Sequence, residues 1–190
     1  MRLAAPRIAP VAPDRLDAEQ ADVLAPVTQR GQVLNIFRTL VHAPDALRAF
    51  LAWGSHVLSK KNSLDARLRE IVILRTGFLC GSGYEFTQHT RIGLNAGITA
   101  DEIEAIKAGP SAAGWSALDR AALSACDELV RDHFVTDATW AALAGLGERG
   151  RMDLVFTVGQ YTQVSMMLNS FGVQLDEGQQ LDPALDRRAG

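Results

Sequence analysis

The chain has 190 residues and a mass of 20.5 kDa, enough to bury a substantial core and within the range of one domain. With 47% hydrophobic and 22% charged residues it is composed like a globular protein, not a disordered or fibrous one. A net charge of −3, a pI near 5.8 and no block of like charge speak against nucleic acid or an anionic membrane surface, so a small-molecule substrate is the expected partner.

Prolines at positions 6, 10 and 13 keep residues 1–13 out of a regular helix and predict an extended arm, laid against the body or against a neighbouring subunit. The arm lacks the apolar run of a signal peptide, and later apolar stretches are too interrupted to span a bilayer, so a cytoplasmic location is expected. From Asp14 the pattern turns helical. Asn35, the Ala43-Pro44 step and Asn62-Ser63 read as boundaries, with Pro44 suited to a first helical turn, and three short helices are predicted before residue 64.

Leu64, Leu68, Ile71, Val72, Arg75, Phe78 and Leu79 then recur at helical spacing until Gly81-Ser82-Gly83 interrupts the run, and a second helix follows from about 83 to 96. The pair predicts a helical hairpin. Asn95-Ala96-Gly97 closes it, Thr99 with Glu102 forms a capping-box pattern for another short helix, and residues 109–114 form a loop. Ser116 caps a helix striped by Leu118, Ala122, Ala125 and Leu129, and two more helices are predicted near 137–146 and 150–170. The last is apolar around most of its circumference, which predicts burial in the core or in a subunit interface. Phe171-Gly172-Val173-Gln174-Leu175 is the best strand-like stretch, and it is short. The fold class expected is therefore an all-α bundle, one helical domain over 14–175 between the arm and a polar tail at 176–190.

Cys80 and Cys126 are far apart and form no C-x-x-C, so both are expected as free thiols, without a disulfide framework or a zinc site. His42 and His133 have no ligand-spaced partners, and no metal is expected.

Ser82, Glu85 and His89 stand at i, i+3 and i+7, on one face of the second hairpin helix, and folding at Gly81-Ser82-Gly83 can bring Glu70 towards that face from the first. A carboxylate beside an imidazole holds one tautomer and favours the protonated ring, which lets it pass protons near neutral pH. The same spacing also fits a surface pair of Glu85 with His89 and a solvated Glu70 beside Arg69. Arg75 and Arg91 are candidates for holding a substrate carboxylate, or for surface ion pairs. Tyr84 and Trp53 are candidates for the cavity wall or for the core, and His56 could join the site.

The stretch Leu68-Arg69-Glu70-Ile71-Val72-Ile73-Leu74-Arg75, continued by Cys80-Gly81-Ser82-Gly83-Tyr84-Glu85-Phe86-Thr87-Gln88-His89 and Arg91-Ile92-Gly93, resembles the carboxymuconolactone decarboxylase family, which includes the AhpD-like alkylhydroperoxidases. Leu154 to Tyr161, with Leu168-Asn169, is similar to that family's closing helix. The resemblance implies an AhpD-like helical fold, a homo-oligomer and catalytic roles for Glu70 and His89. Its peroxidase branch has a C-x-x-C pair where this chain has Ser82 and Glu85, and an inner histidine where it has Tyr84. Serine and glutamate can neither attack a peroxide as a thiolate nor resolve a sulfenic acid.

The decarboxylase branch implies chemistry on a small lactone or oxo-carboxylic acid with no metal or organic cofactor. On that reading His89 transfers protons, Glu85 and Glu70 orient and tune it, and Ser82 or Tyr84 hydrogen-bonds the substrate. The alternatives are a peroxidase with Cys80 as its single thiol, and a non-catalytic ligand-binding or assembly protein on the same fold.

Overall fold

A computed structural model describes residues 3–28 and 32–186; residues 1–2 of the expected arm and 187–190 of the expected tail lie outside them. Among the described residues there are nine α-helices and no strand: α1 (Ala18–Leu24), α2 (Asn35–Leu40), α3 (Pro44–Leu58), α4 (Ala66–Leu79), α5 (Gly83–Asn95), α6 (Ala100–Ala108), α7 (Ala117–Asp132), α8 (Asp137–Ala142) and α9 (Gly147–Phe171). None of these helices is long and apolar enough to cross a membrane.

The fold is built around α4. Ile71, Val72, Ile73 and Leu74 are consecutive and all fully buried, and four successive positions about 100° apart point to all sides of a helix, so α4 is covered around its circumference. Helices α5, α7 and α9 cover it. Leu68 and Val72 meet Ala122, Ala125, Leu154 and Val158 in one cluster, while Ile71 and Leu74 meet Phe86, Ile106 and Leu123 in another. Cys126 is fully buried in the first. Burial pushes its thiol up to about 12, leaving an inert group that behaves as a small hydrophobe.

Local signals set the helix ends. Asp65 accepts from the Leu68 amide at the start of α4, Thr99 and Glu102 close a reciprocal capping box on α6, and Ser116 accepts from the Asp119 amide on α7. The first helix begins later than the pattern from Asp14 suggests, because Pro13–Arg15 form a 3-10 turn and Asp17, boxed with Gln20, caps α1. Between α4 and α5, Gly81 takes φ 64° and the Ser82 amide donates to the Gly77 carbonyl at 2.8 Å. That tight turn folds the hairpin.

Both terminal segments are tied to the bundle. Gly172 ends α9 at φ 71°, where a Cβ would lie 2.9 Å from the Ala5 carbonyl oxygen, and the amides of Arg7 and Ile8 donate to the Phe171 carbonyl. The strand-like stretch at 171–175 is thus a helix terminus followed by extended chain. At the other end Leu185 is buried with Phe86 and Ile106, and Lys107 pairs with Asp182 at 2.5 Å. On α9, Leu154, Val158, Val164 and Leu168 are buried, whereas Met152, Phe156 and Met166 are exposed.

Candidate active site

The α4–α5 hairpin places Glu70, Glu85 and His89 in its interior, 1%, 2% and 8% exposed, which removes the reading of a solvated surface pair. His89 Nδ1 lies 2.7 Å from Glu70 Oε2. With Nδ1 engaged, the other ring nitrogen, Nε2, is the one free to meet a substrate. Glu85 reaches across the hairpin over Gly77, where a Cβ would stand only 2.6 Å from Glu85 Oε1. Its other oxygen, Oε2, accepts from the Ser165 hydroxyl at 3.1 Å.

Tyr161 of α9 completes the group, its ring edge-on to the His89 imidazole with centroids 4.9 Å apart. Burial raises the Glu85 carboxyl well above the usual carboxylate range; the Ser165 hydrogen bond works against that rise and the neighbouring Glu70 charge adds to it. Glu85 therefore holds its proton more tightly than an exposed glutamate does. Burial also raises the Tyr161 phenol, helped by the charges of Glu85 and Glu70. Two buried oxygens, Glu70 Oε1 and Glu85 Oε1, have no hydrogen-bond partner among the described residues, nor does the Ser82 hydroxyl. A cluster with unpaired buried oxygens and a carboxyl raised by burial is suited to hydrogen-bonding and protonating a bound molecule.

The other expected site residues sit elsewhere. Tyr84 is buried and donates to Asp176 Oδ2 at 2.6 Å, while Gln88 Nε2 donates to the same oxygen at 2.7 Å and the Asn35 amide to Oδ1 at 2.8 Å. That hydroxyl is committed to fastening the C-terminal segment. Arg75 spreads both prongs of its fork on Asp127 and also donates to the carbonyls of Ile106 and Lys107. Its donors tie α4 to α6 and α7 instead of facing the Glu70–His89 pair. Arg91 is exposed on α5. Cys80 is partly buried at the end of α4, where its carbonyl accepts from Asn169 Nδ2. Trp53 is 40% exposed and stacks on His56, which lies 3.6 Å from Asp153. Among the described residues no group of three or more His, Cys, Asp or Glu side chains could hold a metal ion.

A family model, the carboxymuconolactone decarboxylase family, matches residues 44–128, from the start of α3 into α7 and including Glu70, Ser82, Glu85 and His89. This part of the chain belongs to the carboxymuconolactone decarboxylase family. No curated protein matches the chain in sequence. Among solved structures, an AhpD-core, peroxidase-related protein from Ralstonia eutropha superposes with a TM-score of 0.76 at 22% identity, covering 92% of this chain and 95% of its own. A peroxidase-related protein from a Silicibacter species gives 0.75 at 16% identity, covering 92% and 91%. The debrominase Bmp8, in complex with 2,3,4-tribromopyrrole, gives 0.74 at 15% identity, covering 92% and 94%. At such identities the likeness shows the fold, which is the AhpD-like all-α fold.

The family match stops before α9, which supplies Tyr161 and Ser165. Those two were missed by reading the hairpin alone. The signal was available: Asp153, Thr157, Tyr161, Ser165 and Asn169 recur every four residues along the helix. Their partners are Ser63, Asn62, His89, Glu85 and the Cys80 carbonyl in turn.

Proposed function

We propose that the chain is a cofactor-free acid–base enzyme of the decarboxylase or lyase type, acting on a small lactone or oxo-carboxylic acid. The observation that carries this reading is the buried 2.7 Å contact between His89 Nδ1 and Glu70 Oε2, packed against Tyr161 and beside Glu85, whose carboxyl burial raises. A carboxylate fixed on Nδ1 holds the ring in one orientation and leaves Nε2 to pass a proton to the substrate. In a decarboxylation the bond to the departing carboxylate breaks and CO2 leaves. The electron pair is delocalised into a conjugated carbonyl, and Nε2–H of the imidazolium protonates the carbon. Neutral His89 then regains a proton from solvent, which balances the cycle. Glu85, when it carries its proton, can hydrogen-bond the enolate oxygen that develops meanwhile.

The test is turnover of His89→Gln on a panel of small oxo-acids and lactones, with CO2 release and deuterium uptake from D2O as readouts. Loss of turnover by about two orders of magnitude or more, with folding intact, is expected; an unchanged rate on a confirmed substrate removes the proposal. A second reading rests on the part-exposed position of Cys80 just before the turn into α5: a one-thiol peroxidase driven by an external thiol. It requires Cys80→Ser to abolish peroxide consumption, and undiminished consumption removes it.

A further inference from the structure

Arg69 stands beside this site without a carboxylate of its own. It lies one helical turn before Ile73 on the same face of α4, and Ile73 packs with Val57 of α3 and Tyr161 of α9 in a small buried cluster. The side chain is partly buried. Its Nε is shut away from solvent and has no acceptor, and Nη1 makes one long contact, 3.4 Å, to the Ser59 carbonyl at the end of α3. The other two arginines of α4 differ. Arg67 pairs with both Glu102 and Asp119, and Arg75 is forked onto Asp127, whereas Arg69 forms no ion pair among the described residues.

A guanidinium with a dehydrated, unbonded N–H is costly to keep, and its planar fork matches the paired oxygens of a carboxylate. The neighbourhood gives that fork a use. It lies within electrostatic reach of the Tyr161 phenol, on which it acts in the direction opposite to Glu85 and Glu70. Arg69 is the positive pole of a group that otherwise contains two carboxyl side chains, and an anionic substrate approaching Glu70 would be repelled without it.

We propose that Arg69 binds a carboxylate of the substrate and so sets the enzyme's preference for small carboxylic acids over neutral lactones or amides. The inference rests on the acid–base reading of the Glu70–His89 pair and names the anchor that this reading lacks now that Arg75 is committed to Asp127. The carboxylate on Arg69 is a spectator, because an ion pair stabilises it as the anion and opposes its loss as CO2. Held there, the substrate presents its reacting carbon towards His89 Nε2.

Binding tests this without turnover. Acetate, 2-furoate, benzoate and the neutral 2-furamide are titrated into the full-length, ¹⁵N-labelled protein, following both the affinity and the Arg69 Nε–H resonance. At least one carboxylate is expected to bind and move that resonance, with 2-furamide weaker by about ten-fold or more. Arg69→Gln is expected to weaken carboxylate binding by roughly ten- to a hundred-fold, the range for losing a charged hydrogen-bonding pair. Arg69→Lys, which keeps the charge without the fork, should fall between, and it decides the matter if Arg69→Gln fails to fold.

The proposal is overturned if none of the three carboxylates binds, if 2-furamide binds equally well, or if substitution at Arg69 changes nothing. His89→Gln should still bind the carboxylate. Turnover that survives in His89→Gln while Arg69→Gln loses affinity would remove the proton-transfer reading and leave the anchor standing; the converse pattern removes only the anchor.

Discussion

Gly77 and Glu85 show how one missing methyl group admits a charge-bearing side chain to the core. The glycine is on the far helix of the hairpin, and the Glu85 carboxyl occupies the space where a Cβ would be. Burial raises that carboxyl, so between its usual value of 4.5 and its folded value the native state holds a proton that the unfolded chain releases. The sign follows: in that window stability falls as pH rises, being greatest below the unfolded value. Glu85→Gln, which has no proton to lose, should gain stability relative to the natural protein as pH goes from about 5 to about 8. Urea denaturation at the two pH values checks this, and a difference that does not change with pH means that Glu85 is ionised in the fold. At this scale Glu70, Glu85 and His89 were legible from spacing and resemblance, because the i, i+4 and hairpin geometry is local. The partners of Arg75 and Tyr84 were not, since Asp127 and Asp176 come from segments 52 and 92 residues away.

Helix α9 shows what a periodicity reading sees and what it blurs. Its apolar residues point in most directions, so it was expected to be buried, yet Met166 is 61% exposed while the polar Ser165 beside it is 1% exposed. The polar residues decide its rotation, because Asp153, Thr157, Tyr161 and Ser165 all find partners on or just before the α4–α5 hairpin. A step of four residues drifts by 40° per repeat against the 3.6-residue turn, and the stripe therefore follows the hairpin obliquely. By contrast the capping signals at Thr99, Ser116 and Pro44 were legible because they depend on neighbours three or four residues away. Ser165→Ala removes the donor to Glu85 Oε2 without touching the apolar packing. It should cost about 1 kcal/mol of stability and push the Glu85 carboxyl higher still. Denaturation together with an infrared titration of the Glu85 carboxyl measures both effects; an unaltered carboxyl shows that α9 does not set its protonation.

For the molecule as a whole, the family match covers residues 44–128, but the segments outside it complete the packing around the hairpin. The arm reaches α2 through the Val11 amide and the Arg38 carbonyl, and α9 through the amides of Arg7 and Ile8. The C-terminal segment is fastened at Asp176, whose two oxygens accept from Asn35, Tyr84 and Gln88 and so join α2, α5 and the chain leaving α9. Composition described residues 176–190 as polar and could not reveal that one of those polar groups is a junction, because its donors are recruited from across the fold. Asp176→Ala leaves a buried phenol and the Gln88 amide without their acceptor, at a cost of about 2–3 kcal/mol. The loss should come with faster amide exchange in residues 174–186 and little change in α4. If stability falls but exchange rises evenly through α4 and α7, Asp176 supports the core and not the closure of the C-terminal segment. If neither moves, the tail is held by its other contacts, Leu185 and the Lys107–Asp182 pair among them.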